Sequence, residues 1–278
     1  MKIADFLTAG CEVTILIADL HAYLDNKSTY EQLLPRSTYY RKIIEAVLKQ
    51  MQAPTAKLKF VNGSSYQLSE KYNLDFHTLN RLVTKRNAVK AGSEVVKQDE
   101  NPCISSLYYP CMQALDEEYL AVDIQLGGVD QTKIFAFAEK YLPMMNYKKR
   151  IHLLNFMLPS LAGKKMSASD EQFKIDILET EEELRKKIYK SFCPPGNVDN
   201  NLPMYLIKYV LPKPFSLRIR DDLILEDAVE VEQHFIAFRI SPIELKDALI
   251  TALNATLEPI RKQFANSESM QLIRDAYD

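Results

Sequence analysis

Apolar positions along the chain fall into two spacings. "EVTILIADLHAYLDN" opens with an unbroken apolar run over 13–18 and then turns polar. That is the pattern of a strand buried on both faces, with a loop at its carboxyl end. "KLKFVNGSSY" (57–66), "EYLAVDIQLGGVDQ" (118–131) and "RIHLLNFMLPS" (150–160) repeat the plan. Between them, "STYYRKIIEAVLKQM" (37–51) and "QTKIFAFAEKYL" (131–142) carry apolar residues at helical spacing, the first behind a Ser or Thr cap. Strands alternating with helices predict an α/β domain whose mostly parallel sheet is covered by helices. Ligands of such sheets sit beyond the carboxyl ends of the strands, where this sequence puts Asp19, His21, Gly128, Asp130 and Gln131.

The pattern changes near residue 178. "TEEELRKKIYKSF" begins with a capping box, Thr180 and Glu183, and Pro194-Pro195-Gly196 then breaks the helical spacing. "SPIELKDALITALNATLEPIRKQFA" places Ser241 as a cap and Pro242 at a first helical position. Residues 1–178 therefore read as the α/β domain and 179–278 as a mainly helical second domain. The stretch 212–238 fits short strands or helix equally.

Composition narrows the function classes. The 278 residues are 47% apolar and 26% charged with a formal net charge of -2, so nucleic-acid contact has to come from local basic patches. The four cysteines form no C-x-x-C pair, and Cys103 and Cys111 lack a nearby histidine pair, so no metal site is predicted. Their apolar neighbours predict buried free thiols in a reducing compartment. Asp5 interrupts the short apolar start and "VTILIA" is too short to span a membrane, which predicts a cytoplasmic protein without membrane contact. P-loop, G-x-G-x-x-G and G-x-S-x-G motifs are absent.

Three stretches could carry chemistry. "AGKKMSASDEQ" (162–172) combines a glycine, two lysines and hydroxyls, which suits a bending loop that closes on phosphates as well as a solvated basic turn. In "YYPCMQALDEEYL" (108–120), helical spacing puts Tyr109, Gln113 and Asp116 on one face, able to hold a small zwitterion or simply to face solvent. "GGVDQ" (127–131) lets a ligand approach the backbone at Gly128, with Asp130 and Gln131 beside it. His21 directly follows a strand and could contact a ligand or cap the next element. His77, His152 and His234 have no sequence neighbours that suggest a partner and read as structural.

Taken in order, "ADLHAYLDN" (18–26), "VVKQ" (95–98), "YPCMQALDEEYLAVD" (109–123), "GGVDQ", "KMSAS" (165–169), "FCPPGNV" (192–198) and "LEPIRKQF" (257–264) resemble the eukaryotic and archaeal tyrosyl-tRNA synthetases, class I aminoacyl-tRNA synthetases. The resemblance covers nearly the whole chain. It implies a Rossmann-like catalytic domain, a helical anticodon-binding domain, and a homodimer formed through the connective segment 75–98. It implies that ATP, with Mg²⁺, activates tyrosine, which then passes to tRNA(Tyr). Asp116 would hydrogen-bond the substrate phenol, with His21 also lining the tyrosine site. Tyr109, Gln113 and Gln131 would hold the α-amino end, and Gly128 and Asp130 the ribose. Lys165, with Ser167 and Ser169, would stabilise charge on the departing pyrophosphate; Ala168 stands where many bacterial members carry a second lysine. Arg185, Lys186, Lys187 and Lys190 would meet tRNA phosphates, and Glu244 stands where relatives commonly have an Asp facing the anticodon. The resemblance further implies that the family's first strand and helix, with the HIGH-type histidine motif and a second phenol-binding tyrosine, belong upstream of Met1. The rival expectation is an inactive synthetase-like fragment that binds tRNA or protein.

Overall fold

The computed structural model describes residues 2–96, 101–159 and 175–278. Helix α1 (Lys2–Thr8) precedes strand β1 (Val13–Ile17) and helices α2 (Asp19–Leu24) and α3 (Leu33–Gln50). Strand β2 (Leu58–Asn62) leads into α4 (Ser64–Gln67), α5 (Glu70–Leu82), α6 (Lys85–Gly92) and α7 (Ile104–Tyr119). Strand β3 (Ile124–Gly128) passes through a 3-10 turn (Val129–Gln131) into α8 (Thr132–Tyr141), and β4 (Ile151–Asn155) comes next. The chain continues through α9 (Glu181–Lys190), α10 (Leu202–Tyr209), β5 (Leu217–Arg220), β6 (Leu223–Leu225), α11 (Ala228–Ile236), α12 (Pro242–Phe264) and α13 (Ser267–Tyr277).

These elements fold into two compact units. One holds residues 10–44, 55–156 and 271–278. It contains the four expected strands, paired in parallel as β1 with β2 and β3 with β4, Val13 opposite Leu58 and Ile124 opposite Ile151. The parallel pairing is as the pattern predicts, but the strands form two two-stranded ladders rather than one continuous sheet. Its core lies between α5, α7 and α8, where Leu79, Ala114, Leu115 and Ala138 are fully buried. Segment 118–131 is a strand over less than half its length, because Glu118 and Tyr119 still belong to α7, where Tyr119 hydrogen-bonds Asp75.

The other unit holds residues 1–9, 45–54 and 157–270. Leu184, Ile188, Ile207, Leu217, Val231, Phe235, Leu245 and Leu249 form its core. The predicted capping box at Thr180 is present, and the predicted helix start at Ser241 is a second one. Thr180 and Glu183 exchange bonds at the start of α9, and Ser241 and Glu244 do so at α12, where Pro242 opens the helix. Each cap satisfies backbone N–H groups that would otherwise lack a partner, which stabilises by about 1 kcal/mol. The ambiguous stretch 212–238 resolves into the antiparallel pair β5–β6 and helix α11, whose Asp227 cap accepts from two backbone N–H groups.

The cysteines correct one expectation. All four are free, but only Cys111 is buried; Cys11 and Cys103 are exposed. Cys11 follows the left-handed turn residue Gly10, and Cys103 lies at the N-cap of α7, so neither points into a core. Among the described residues, no helix is long and apolar enough to cross a membrane.

Candidate active site

The turns after β1 and β2 meet on one carboxylate. Asp19, the first residue of α2, accepts from the backbone N–H of Leu20 and of Ser64, each at 2.9 Å, and from the Ser64 hydroxyl. Gly63 allows this approach, because a Cβ there would lie 2.6 Å from Gln67 Oε1 and 3.1 Å from an Asp19 oxygen. Asp19 thus fixes α2, which carries His21, against α4, which carries Gln67.

Asp116 is the polar centre of the site. It is 2% exposed, and α7 aims it at α2 and α4. Its Oδ1 accepts from Gln67 Nε2 at 2.8 Å and from the Tyr72 hydroxyl at 3.2 Å. Its Oδ2 accepts no hydrogen bond and faces His21 Nε2 at 3.6 Å. Both His21 ring nitrogens and Gln67 Oε1 are likewise buried without a hydrogen bond. A buried polar atom left unpaired costs free energy comparable to a lost hydrogen bond. Such a cluster of donors and acceptors suits a hydroxyl that donates to one group and accepts from another.

The predicted helical face of α7 holds. Tyr109 sets its ring edge-on to His21, centroids 4.7 Å apart. Gln113 Nε2 donates to Gln131 Oε1 at 2.8 Å, and Gln131 Nε2 donates to the Asp130 carboxylate at 2.8 Å. The structure therefore gathers His21, Tyr109, Gln113, Asp116, Asp130 and Gln131 around the carboxyl ends of β1 and β3, with Gly128 ending β3.

Burial dominates the electrostatics. It pushes the Asp116 carboxyl up, against the pull of His21 and of hydrogen bonds from Gln67 and Tyr72. It pushes the His21 imidazole down, with Asp116 and Asp19 opposing. The Tyr109 phenol is pushed up to about 12, by burial first and then by Asp25, Asp116 and Asp130. Tyr66 and Tyr72 are raised by burial and by the Asp116 charge, so both phenols remain neutral.

Lys165, Ser167 and Ser169 lie outside the described residues. In the helical unit, Arg185 faces Glu181 at 3.7 Å and Asp247 at 3.5 Å, Lys186 pairs with Glu182 at 2.7 Å, and Lys187 pairs with Glu179. Lys190 is exposed in the last turn of α9. Glu244 is engaged by its own helix cap and by Arg220 at 2.9 Å. Among the described residues, no group of three or more His, Cys, Asp or Glu side chains could hold a metal ion.

Sequence reasoning missed Asp19's tie to Ser64, and it missed Gln67 and Tyr72. The contacts of Gln67 and Tyr72 to Asp116 join residues 49 and 44 positions apart. The one available signal was the polar run "GSSYQ" at the carboxyl end of β2, the counterpart of the β1 end that drew attention to His21.

Comparison with known proteins gives one consistent picture. The family model for class I tRNA synthetases (W and Y) matches residues 1–258. The cytoplasmic tyrosine–tRNA ligase of Danio rerio is 52% identical over 99% of this chain and 54% of its own length. That of Saccharomyces cerevisiae is 46% identical over 97% of this chain and 73% of its own length. The chain thus spans about half the length of the vertebrate relatives it matches. Among solved structures, the tyrosyl-tRNA synthetase of Archaeoglobus fulgidus, complexed with L-tyrosine, superposes with a TM-score of 0.87. It is 34% identical and covers 95% of this chain and 83% of its own.

Proposed function

The chain belongs to the class I tRNA synthetases of the tryptophan and tyrosine family, in the eukaryotic-type tyrosyl branch, and on that premise we propose that it is a tyrosine–tRNA ligase. ATP activates tyrosine to the adenylate, and the tyrosyl group then passes to tRNA(Tyr). One observation carries the choice of amino acid: Asp116, buried on α7, keeps Oδ2 free of hydrogen bonds opposite an equally unpaired His21. The substrate phenol donates to that carboxylate oxygen and sits against the imidazole. Phenylalanine would leave both groups buried and unsatisfied.

The remaining roles are those that the family resemblance implies. Tyr109, Gln113 and Gln131 hold the α-amino end, since the amide pair stands one helical turn from Asp116. Gly128 and Asp130 receive the ribose at the end of β3. Lys165, flanked by Ser167 and Ser169, neutralises charge growing on the pyrophosphate, and the reaction proceeds by positioning and charge stabilisation. Mg²⁺ arrives on the ATP phosphates.

The helical part from 179 onward carries the anticodon contact. Lys190 meets phosphate directly, and Arg185, Lys186 and Lys187 do so by exchanging their acidic partners; Glu244 faces the anticodon beside Arg220. Two copies pair through 75–98, and the protein works in the cytoplasm, as its relatives are named. The test is tyrosine-dependent exchange of pyrophosphate into ATP. Exchange with tyrosine alone supports the assignment. A folded chain that exchanges with tryptophan instead, or that catalyses no exchange in the full-length protein, contradicts it.

A further inference from the structure

Behind the candidate site lies a charged cluster, buried at His152 and Glu117 and half-exposed at Glu139, that the proposed chemistry does not use. His152, in β4, has a side chain 7% exposed. Its Nε2 is 2.9 Å from Glu117 Oε1 on α7, and its Nδ1 is 3.1 Å from Glu139 Oε1 on α8. Its ring lies flat on Phe135, centroids 4.4 Å apart and planes 10° apart. Phe135 and Glu139 are one turn apart on α8, so one helix face both supports the ring and faces its nitrogen. The other charges nearby are Arg150 and Glu118, which pair at 2.6 Å. Arg150 also donates to the carbonyls of Val122 and Lys148, at 3.2 and 2.7 Å. His152 is therefore the direct partner of Glu117, whose side chain is only 2% exposed.

Both ring nitrogens meet a carboxylate at hydrogen-bond length. With Glu117 and Glu139 both ionised, a neutral imidazole, which has a single N–H, would set its second nitrogen's lone pair against carboxylate lone pairs; burial raises the Glu117 carboxyl, and the charge and hydrogen bond of His152 oppose that rise. Both contacts are satisfied together when the ring donates from both nitrogens, and the cation then compensates a buried carboxylate. The cluster touches both ends of the candidate site. Glu117 is the neighbour of Asp116 on α7. Phe135 packs against Gly127, where an added Cβ would lie 2.8 Å from the ring and 3.0 Å from the stem of Gln131.

We infer that His152 is a positioning residue: a doubly donating imidazolium that locks α7 to α8 and β4, and so holds Asp116 and the Gln113–Gln131 pair in register for the bound amino acid. This rests on the tyrosine-binding reading of the site. The test is ¹⁵N NMR of the imidazoles in the histidine-labelled full chain at pH 7, with the His152 signals identified by their loss in His152→Gln. Tyrosine affinity is measured by calorimetry on both proteins, with circular dichroism to confirm the fold. The expected result is a ring protonated at both nitrogens and tyrosine binding about tenfold weaker in His152→Gln. Adding Glu117→Gln should recover affinity, because it removes the buried charge left unpaired. A ring with one bare nitrogen, or a folded His152→Gln that binds tyrosine as tightly as its parent, overturns the inference. If His152→Gln does not fold, the double variant with Glu117→Gln takes its place, both to identify the His152 signals and for the affinity. A parent that binds no tyrosine defeats the functional reading itself, and the clamp is then judged on the imidazole signals alone.

Discussion

His21 Nε2 and Asp116 Oδ2 face each other at 3.6 Å, both buried and neither hydrogen-bonded. The gap exceeds hydrogen-bond length, while Asp116 Oδ1 is fully engaged by Gln67 and Tyr72. The free oxygen is thus held in place by bonds to its twin. Replacing Asp116 by Ala should weaken tyrosine binding by about 10- to 100-fold, the worth of a hydrogen bond to a charged group. Phenylalanine binding should change far less, and comparing the two dissociation constants checks it.

The same pair sets a pH dependence. Burial lowers the His21 imidazole from 6.5, so the unfolded chain binds this proton first. Stability from His21 is complete above pH 6.5 and is lost as pH falls below it. Asp116 works in the opposite sense: its carboxyl is raised from 3.8, so its contribution falls as pH rises above that value. Replacing His21 by Gln should therefore shrink the loss of melting temperature between pH 7 and 5.5. An undiminished loss in thermal scans would remove His21 as its source.

Gly127 marks where the β3 turn tolerates no side chain. An alanine Cβ would meet Phe135 at 2.8 Å and Gln131 at 3.0 Å. Gly127→Ala should cost about 1–3 kcal/mol by overpacking and should also weaken amino-acid binding, since Gln131 must move. Denaturant melts and calorimetry on the same variant separate the two effects.

Asp75 accepts from the hydroxyls of Tyr119 and Tyr147, each at 2.6 Å, and the Tyr119 ring stands edge-on to Tyr72 at 4.7 Å. This joins α5 to α7 one layer behind Asp116. Asp75→Asn should lower stability by about 1–3 kcal/mol, because both phenols lose a charged acceptor. A denaturant midpoint unchanged from the parent would show the two bonds to be idle.

Glu244 closes the capping box of α12 and also pairs with Arg220. Glu244→Ala should destabilise by about 0.3–1.5 kcal/mol, the usual worth of one helix-end contact. Glu244→Asp shortens the reach to both partners, so comparing melting temperature with tRNA affinity in these two variants separates the cap from the proposed anticodon contact.

Local pattern exposed much of this molecule. The spacing of Tyr109, Gln113 and Asp116 put three candidate site residues on one face of α7, and the box motif at Thr180 and the Ser241-Pro242 pair marked two helix starts. What stayed hidden depends on distant parts of the chain meeting. Gln67 and Tyr72 acquire meaning only when α4 and α5 reach α7, and His152 finds Glu117 across 35 positions. Segment 212–238 stayed ambiguous because β5 and β6 have four and three residues, too few to show a clear alternation. The exposed Cys11 and Cys103 show the limit of judging burial from apolar neighbours, since both lie at element boundaries.

The most direct test is a calorimetric titration of the protein with tyrosine, phenylalanine and tryptophan in turn. Tyrosine should bind, and phenylalanine should be rejected by at least about tenfold, the difference being the phenol hydroxyl that Asp116 and His21 are left to receive. Phenylalanine or tryptophan binding as tightly as tyrosine would contradict the assignment of Asp116 as the group that selects the amino acid.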